Sequence, residues 1–344
     1  MNRSFTLLAL CLFFAFSAAA QPSATSCKLP TGAAMFVERY LNTSAYGKQL
    51  CDGSGPAFHC SLSGWLYVPP GSGPFTGLVL NHSSENTAEA DYCSAVEYFV
   101  GKNYVVFIPV RRGYKIDSPF GPNSGELAAT TLDLLTKGEP SKWPGAARTL
   151  SACGVPQKNV GQIKIRWTAK QIDCVHTTLL RDQVLEVRVA LNWLLALKRN
   201  SKALVDRAVL LGHAEGANIT ALAASDPYVY AQAAVLLSPA ERRWDSDNQA
   251  LRDGIKTSIK QRRFPVAVMQ PANAFSTGPT ADLTDISVKL TQPKGFMSLL
   301  LPEIGGTEAE RHLLFGTRAS IVKMWTPLAE QFFCLYTATG GKKC

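Results

Sequence analysis

One segment of this chain leaves the backbone little choice. Arg207 to Leu211 (RAVLL) reads as a buried strand, and from Asn218 to Ser225 the pattern is helical. The chain must therefore reverse between them in a few residues, through Gly212-His213-Ala214-Glu215-Gly216-Ala217. The two glycines stand where a tight strand-to-helix turn has no room for a side chain. Between them, Ala214 must project at the end of the strand. A strand that turns directly into a returning helix is the building unit of a parallel α/β sheet.

The rest of the chain repeats that alternation. Ser61 to Val68 reads as an edge strand stopped by Pro69-Pro70-Gly71. Thr76 to Asn81 and Tyr104 to Val110 are short apolar runs rich in branched residues, and they flank a helical stretch from Glu89 to Val100. Arg181 to Arg199 is the strongest helix, with Val184, Leu185, Val187, Leu191, Leu194 and Leu195 on its apolar side and basic residues in its last turn. Ala233 to Leu237, Phe264 to Gln270 and Phe296 to Leu301 are three further strands. Ile321 to Leu335 is a final helix that Pro327 kinks or delays. The fold class expected is α/β, a mostly parallel central sheet flanked by helices.

The first twenty residues set the compartment. Arg3 precedes an apolar run from Leu7 to Phe16, and Ser17-Ala18-Ala19-Ala20 precedes Gln21-Pro22. That order of basic, apolar and small residues is a secretory signal peptide. Its apolar run falls short of the ~20 residues that a bilayer span needs. The expectation is a leader over 1–20 and a single domain over 21–344, secreted or periplasmic, with no transmembrane segment.

Nine cysteines fit that destination. Cys11 leaves with the leader, and the remaining even number reads as a disulfide framework. Proximity suggests Cys51–Cys60, Cys153–Cys174 and Cys334–Cys344, which leaves Cys27–Cys93. No CxxC pair or Cys/His cluster of zinc spacing occurs, so neither a metal nor another cofactor is expected. The formal charge of +9 is spread among nearby acids rather than gathered in a stripe with aromatics, which argues against a nucleic-acid partner. Between Asn123 and Leu180 the pattern dissolves into Gly, Pro, Lys and Trp. A stretch of that length inside a domain is a lid-like functional loop or a plain surface insertion.

With these elements in order, the chain resembles the α/β-hydrolase superfamily, in its secreted dienelactone-hydrolase-like branch. Gly212-His213-Ala214-Glu215-Gly216 resembles the G-x-S-x-G nucleophile elbow. Leu78-Val79-Leu80-Asn81-His82-Ser83-Ser84 resembles the loop that helps to build the oxyanion hole. Phe107-Ile108-Pro109-Val110-Arg111-Arg112-Gly113-Tyr114 resembles the P-x-x-R-G run. His312-Leu313-Leu314-Phe315 with Trp325-Thr326-Pro327 resembles the ending that carries the triad histidine.

Two departures matter more than the matches. Ala214 occupies the nucleophile position, and Ala274, in Pro271-Ala272-Asn273-Ala274, occupies the place where the family usually has its aspartate. His312 is retained. Serine-hydrolase chemistry needs a nucleophile, a base and a carboxylate that orients the base. The resemblance therefore implies an inactive or very weak carboxylic ester hydrolase homologue, a pseudoenzyme with a pocket lined by His82, Ser83 and Glu215. A small ester-like or acidic molecule is the ligand it implies. Ser→Ala and Asp→Ala are also laboratory knockouts, but the retained leader favours natural loss.

Rescue routes are few. Glu215 follows the nucleophile position and normally points away from the site. Glu241 is a substitute acid on a neighbouring strand, and Ser83 or Ser84 a substitute nucleophile near His312. His213, His59 and His176 read as structural. The rival readings are an active ester or lactone hydrolase with a non-standard nucleophile, and a structural or adhesion protein of the envelope.

Overall fold

A computed structural model describes residues 27–41, 61–83, 89–111, 151–155, 168–239, 249–272, 283, 295–303 and 319–338. Among these, eight strands form one sheet in the order β1-β2-β4-β3-β7-β8-β9-β10. They are β1 (Ala34–Leu41), β2 (Ser61–Val68), β3 (Phe75–Asn81), β4 (Tyr104–Val110), β7 (Val205–His213), β8 (Ala234–Leu237), β9 (Val266–Pro271) and β10 (Phe296–Leu301). β1/β2 and β2/β4 pair antiparallel, and every other neighbouring pair is parallel. A two-stranded ribbon, β5 (Lys198–Arg199) with β6 (Lys202–Ala203), stands apart.

Strict alternation along the strands sends side chains to two apolar layers. Leu78, Leu80, Val106, Ile108, Val209 and Leu211 face one layer, closed by α1 (Cys93–Gly101) and α5 (Ala319–Thr337). Val79, Val105, Phe107, Ala208 and Leu210 face the other, closed by α2 (Ala169–Ala196), α3 (Glu215–Ala223) and α4 (Gln249–Lys260). Because β4, β8 and β9 are covered on both faces, their runs are apolar nearly throughout rather than amphipathic.

Several expectations need correction. β2 is not the edge strand, because β1 pairs along its whole length outside it. The long helix starts at Ala169 rather than Arg181, and the end of the supposed structureless stretch is therefore helical. Thr168 caps it through a reciprocal capping box with Gln171, a signal hidden in a Gly/Pro/Lys-rich neighbourhood. The same helix stops at Ala196, so Lys198 and Arg199 lie in the ribbon and not in its last turn. Asn200 and Ser201, both at positive φ (50° and 64°), make the tight turn that closes the ribbon. Pro327 lies inside α5, where the Thr326 hydroxyl donates to the Val322 carbonyl one turn back.

Two of the expected disulfides are present, Cys153–Cys174 from proximity and Cys27–Cys93 as the pair left over. Cys27–Cys93 ties the segment before β1 to the start of α1, and Cys153–Cys174 ties residues 151–155 to the first turns of α2. Gln171 also donates to the Gly154 carbonyl, so the capping box and the staple share one corner. Cys334 is disulfide-bonded too, with its partner outside the described residues. Cys51, Cys60 and Cys344 are likewise outside them. No helix among the described residues is long and apolar enough to cross a membrane.

Candidate functional site

β7 ends at His213, and α3 begins at Glu215 rather than at Asn218. The whole reversal is therefore made by Ala214, held at φ 51° and ψ −114°. That conformation is the first central position of a II′ turn, where glycine ordinarily stands. Its N–H donates to the Leu237 carbonyl at the end of β8, and its own carbonyl receives the N–H groups of Ala217 and Asn218. The turn is thus anchored on both sides.

The flanking glycines are required by close backbone approach. A Cβ on Gly212 would lie 2.3 Å from the Gly216 carbonyl oxygen, and one on Gly216 would lie 2.1 Å from that of Asn81. α3 therefore rests directly on the ends of β7 and β3. Asn81 secures the contact, its side-chain amide donating to the Thr220 hydroxyl at 2.7 Å.

Strain at Ala214 has a measurable consequence. A non-glycine residue held in such a conformation costs about 1–3 kcal/mol, and the extra unfolded-state freedom of glycine offsets about 0.4–1 kcal/mol. Ala214→Gly should stabilise the fold by about 1 kcal/mol, read as a higher urea midpoint at unchanged slope. A lower midpoint would show that the turn is relaxed as it stands.

After β3 the chain passes through His82 and Ser83, both buried. The Arg111 backbone N–H donates to His82 Nε2 at 3.1 Å, so that nitrogen carries no proton. His82 Nδ1 lies 2.7 Å from the Ser83 carbonyl and is the protonated one. The Arg111 side chain, itself buried, donates to the His82 carbonyl. Burial first, and the neighbouring Arg111 cation second, hold the His82 ring well below its ordinary pKa, against the pull of the Ser83 carbonyl. With both nitrogens engaged and the ring neutral, His82 shapes the loop. Ser83 contributes its backbone N–H to the Tyr92 hydroxyl at 3.0 Å. Tyr92 adjoins Cys93, so the loop is tied to the Cys27–Cys93 disulfide.

This gives a pH dependence of definite sign. The folded pKa of His82 is depressed, so below about pH 6.5 the unfolded chain takes up a proton that the folded chain refuses. Stability from this group is whole above pH 6.5 and falls as pH drops, by up to about 1.4 kcal/mol per unit. Urea titrations from pH 7.5 to 5 should show a shallower loss for His82→Asn than for the unaltered chain. Equal slopes would remove His82 as the source.

The structure brings Ala214, Glu215, His82 and Ser83 together at the carboxyl ends of β3 and β7, with Glu215 buried. His213 is buried on the last position of β7, and His176 falls within α2. Ala274, His312, Ser84, Glu241 and His59 lie outside the described residues. Ser238, just past β8, was missed by sequence reasoning. Nothing in its local pattern marks it, and only sheet order places it beside Ala214.

An eight-stranded, mostly parallel sheet with a glycine-flanked reversal at the end of a central strand defines the α/β-hydrolase fold, and this chain has it. Among solved structures it is similar to esterase 2 of Thermogutta terrifontis. The paraoxon-phosphorylated form aligns with a TM-score of 0.52 at 13% identity, covering 91% of this chain and 97% of that one. The tabun-modified form aligns at 0.51 and 14% identity, with the same coverage. A protein assigned as a dienelactone hydrolase, from Klebsiella pneumoniae subsp. pneumoniae MGH 78578, gives 0.48 at 12% identity, over 87% of this chain and 98% of that one. No family model and no curated protein matches the sequence.

Proposed function

We propose that this chain is a secreted, disulfide-stapled homologue of the dienelactone-hydrolase-like esterases that binds a small carbonyl ligand and does not turn it over. One observation carries the reading. The backbone of the elbow is held in its strained form at Ala214, yet that residue has no atom with which to attack. A serine hydrolase without its nucleophile retains only what binding and the oxyanion hole supply, ~10³–10⁴ over water in the serine-protease template. Ala274 at the acid position removes the group that would orient His312, so two independent losses fall on one triad. The leader at 1–20 and the disulfides support export to an oxidising compartment. We take 21–344 as a single domain with an insertion at about 123–180, and the Cys153–Cys174 disulfide within that span supports a staple there.

The decisive assay is hydrolysis of short p-nitrophenyl esters by the purified protein beside His312→Ala. Equal, background rates are expected. A rate that disappears in His312→Ala would instead establish a working hydrolase, with Ser83, Ser84 and Glu241 as the groups to test next. Binding of methyl butyrate, followed by ligand-observed NMR, is expected and separates a ligand-binding protein from an envelope spacer.

A further inference from the structure

We propose that Ser238 is a ligand-contacting residue of this site, its hydroxyl standing one strand away from the position Ala214 leaves without an oxygen. The inference rests on the ligand-binding reading above and names a residue that reading lacks. β7 and β8 pair in parallel with His213 opposite Leu237, so the next residues, Ala214 and Ser238, leave the sheet side by side. Neighbouring strands lie ~4.8 Å apart. The Ala214 N–H donates to Leu237, and the Ser238 N–H donates to Met269 at the end of β9. Both residues are thus pinned by the backbone of the next strand.

Ser238 breaks two local rules at once. Its φ is 40°, a left-handed conformation that a non-glycine residue adopts at a cost. Its side chain is buried, 1% exposed, and its hydroxyl oxygen has no hydrogen-bond partner. A buried hydroxyl without a partner destabilises a fold, and alanine would fill the same space without that penalty. Strain together with an unanswered polar group at the carboxyl end of a parallel sheet marks a ligand contact rather than a packing choice. A hydroxyl there donates to a carbonyl oxygen, and exclusion of bulk water strengthens that bond. The ligand class is a small ester or lactone, left intact because Ala214 cannot attack it.

The test separates this residue from the pocket as a whole. Methyl butyrate is titrated by ligand-observed NMR against the unaltered protein, Ser238→Ala and Ser238→Gly, with thermal melts of all three. Expected are melting temperatures a few degrees higher for both variants, and affinities about tenfold weaker, the worth of one hydrogen bond. Glycine relieves the left-handed φ, so loss of binding in a more stable variant is not misfolding. Unchanged affinity in both variants would overturn the role of Ser238 and leave the pocket standing, the hydroxyl then serving an internal water only. Absence of binding by the unaltered protein would overturn the ligand-binding reading and this inference with it.

Discussion

Gly216→Ala should destabilise the folded chain by about 3 kcal/mol or more, a loss of the size seen only when backbone is forced apart. The new Cβ would lie 2.1 Å from the Asn81 carbonyl oxygen and 2.6 Å from that of His82. Neither oxygen belongs to a flexible side chain, and Asn81 is already bound in the β3–β7 ladder and to Thr220. Relief would require α3 to lift from the sheet, exposing Ala217 and Ile219, which are fully buried. The measurement is urea unfolding with disulfides intact. Gly254→Ala is the internal contrast: it lies in α4, and among the described residues its Cβ would meet only Leu222 Cδ2, at 3.7 Å. There the greater helix propensity of alanine should stabilise by about 0.5–1 kcal/mol. The same chemical change thus gives opposite signs at two glycines. Equal effects would show that the elbow is looser than its geometry implies.

The second large effect is a gain of chemistry. Ala214→Ser combined with Ala274→Asp should raise hydrolysis of p-nitrophenyl butyrate by at least about 10³-fold over the unaltered chain. Loss of a triad nucleophile costs about 10⁶ in kcat in the subtilisin template, so a partial recovery of that size is modest. The backbone at 214 already holds the conformation that presents a nucleophile, and it would not need to be rebuilt. Ala214→Ser alone should stay near the background of the unaltered chain, because a histidine without its orienting carboxylate loses about 10⁴ in the serine-protease template. Adding His312→Ala to the double variant should abolish the gain. A folded double variant with no activity would mean that the ligand-facing surroundings have diverged along with the triad.

How much of this was legible beforehand depends on the range of the interaction concerned. β4 could be read residue for residue because a strand covered on both faces is a short continuous apolar run bounded by turn residues, and β10, half-buried at the end of the sheet, was legible from the same kind of run. The elbow was legible for a similar reason: two glycines four residues apart between a strand and a helix admit one geometry. Local pattern failed where a capping box, rather than apolar periodicity, began α2, and where β1 acquired its strand character by pairing with β2. It also missed α4, although Leu251, Ile255 and Ile259 recur there every fourth residue and Ile255 and Ile259 are buried in the second apolar layer.

The sequence by itself determined that Ala214 cannot be a nucleophile, since an absent atom needs no structure to establish. It also determined the alternation of strands and helices, and with it the parallel sheet. Only the tertiary structure decided that the elbow backbone is strained at Ala214, that His82 is a neutral strut between Arg111 and Ser83, and that Ser238 stands beside Ala214. Those facts come from contacts between residues far apart in the chain. Strand order sets them, and a single sequence does not encode strand order in any local pattern.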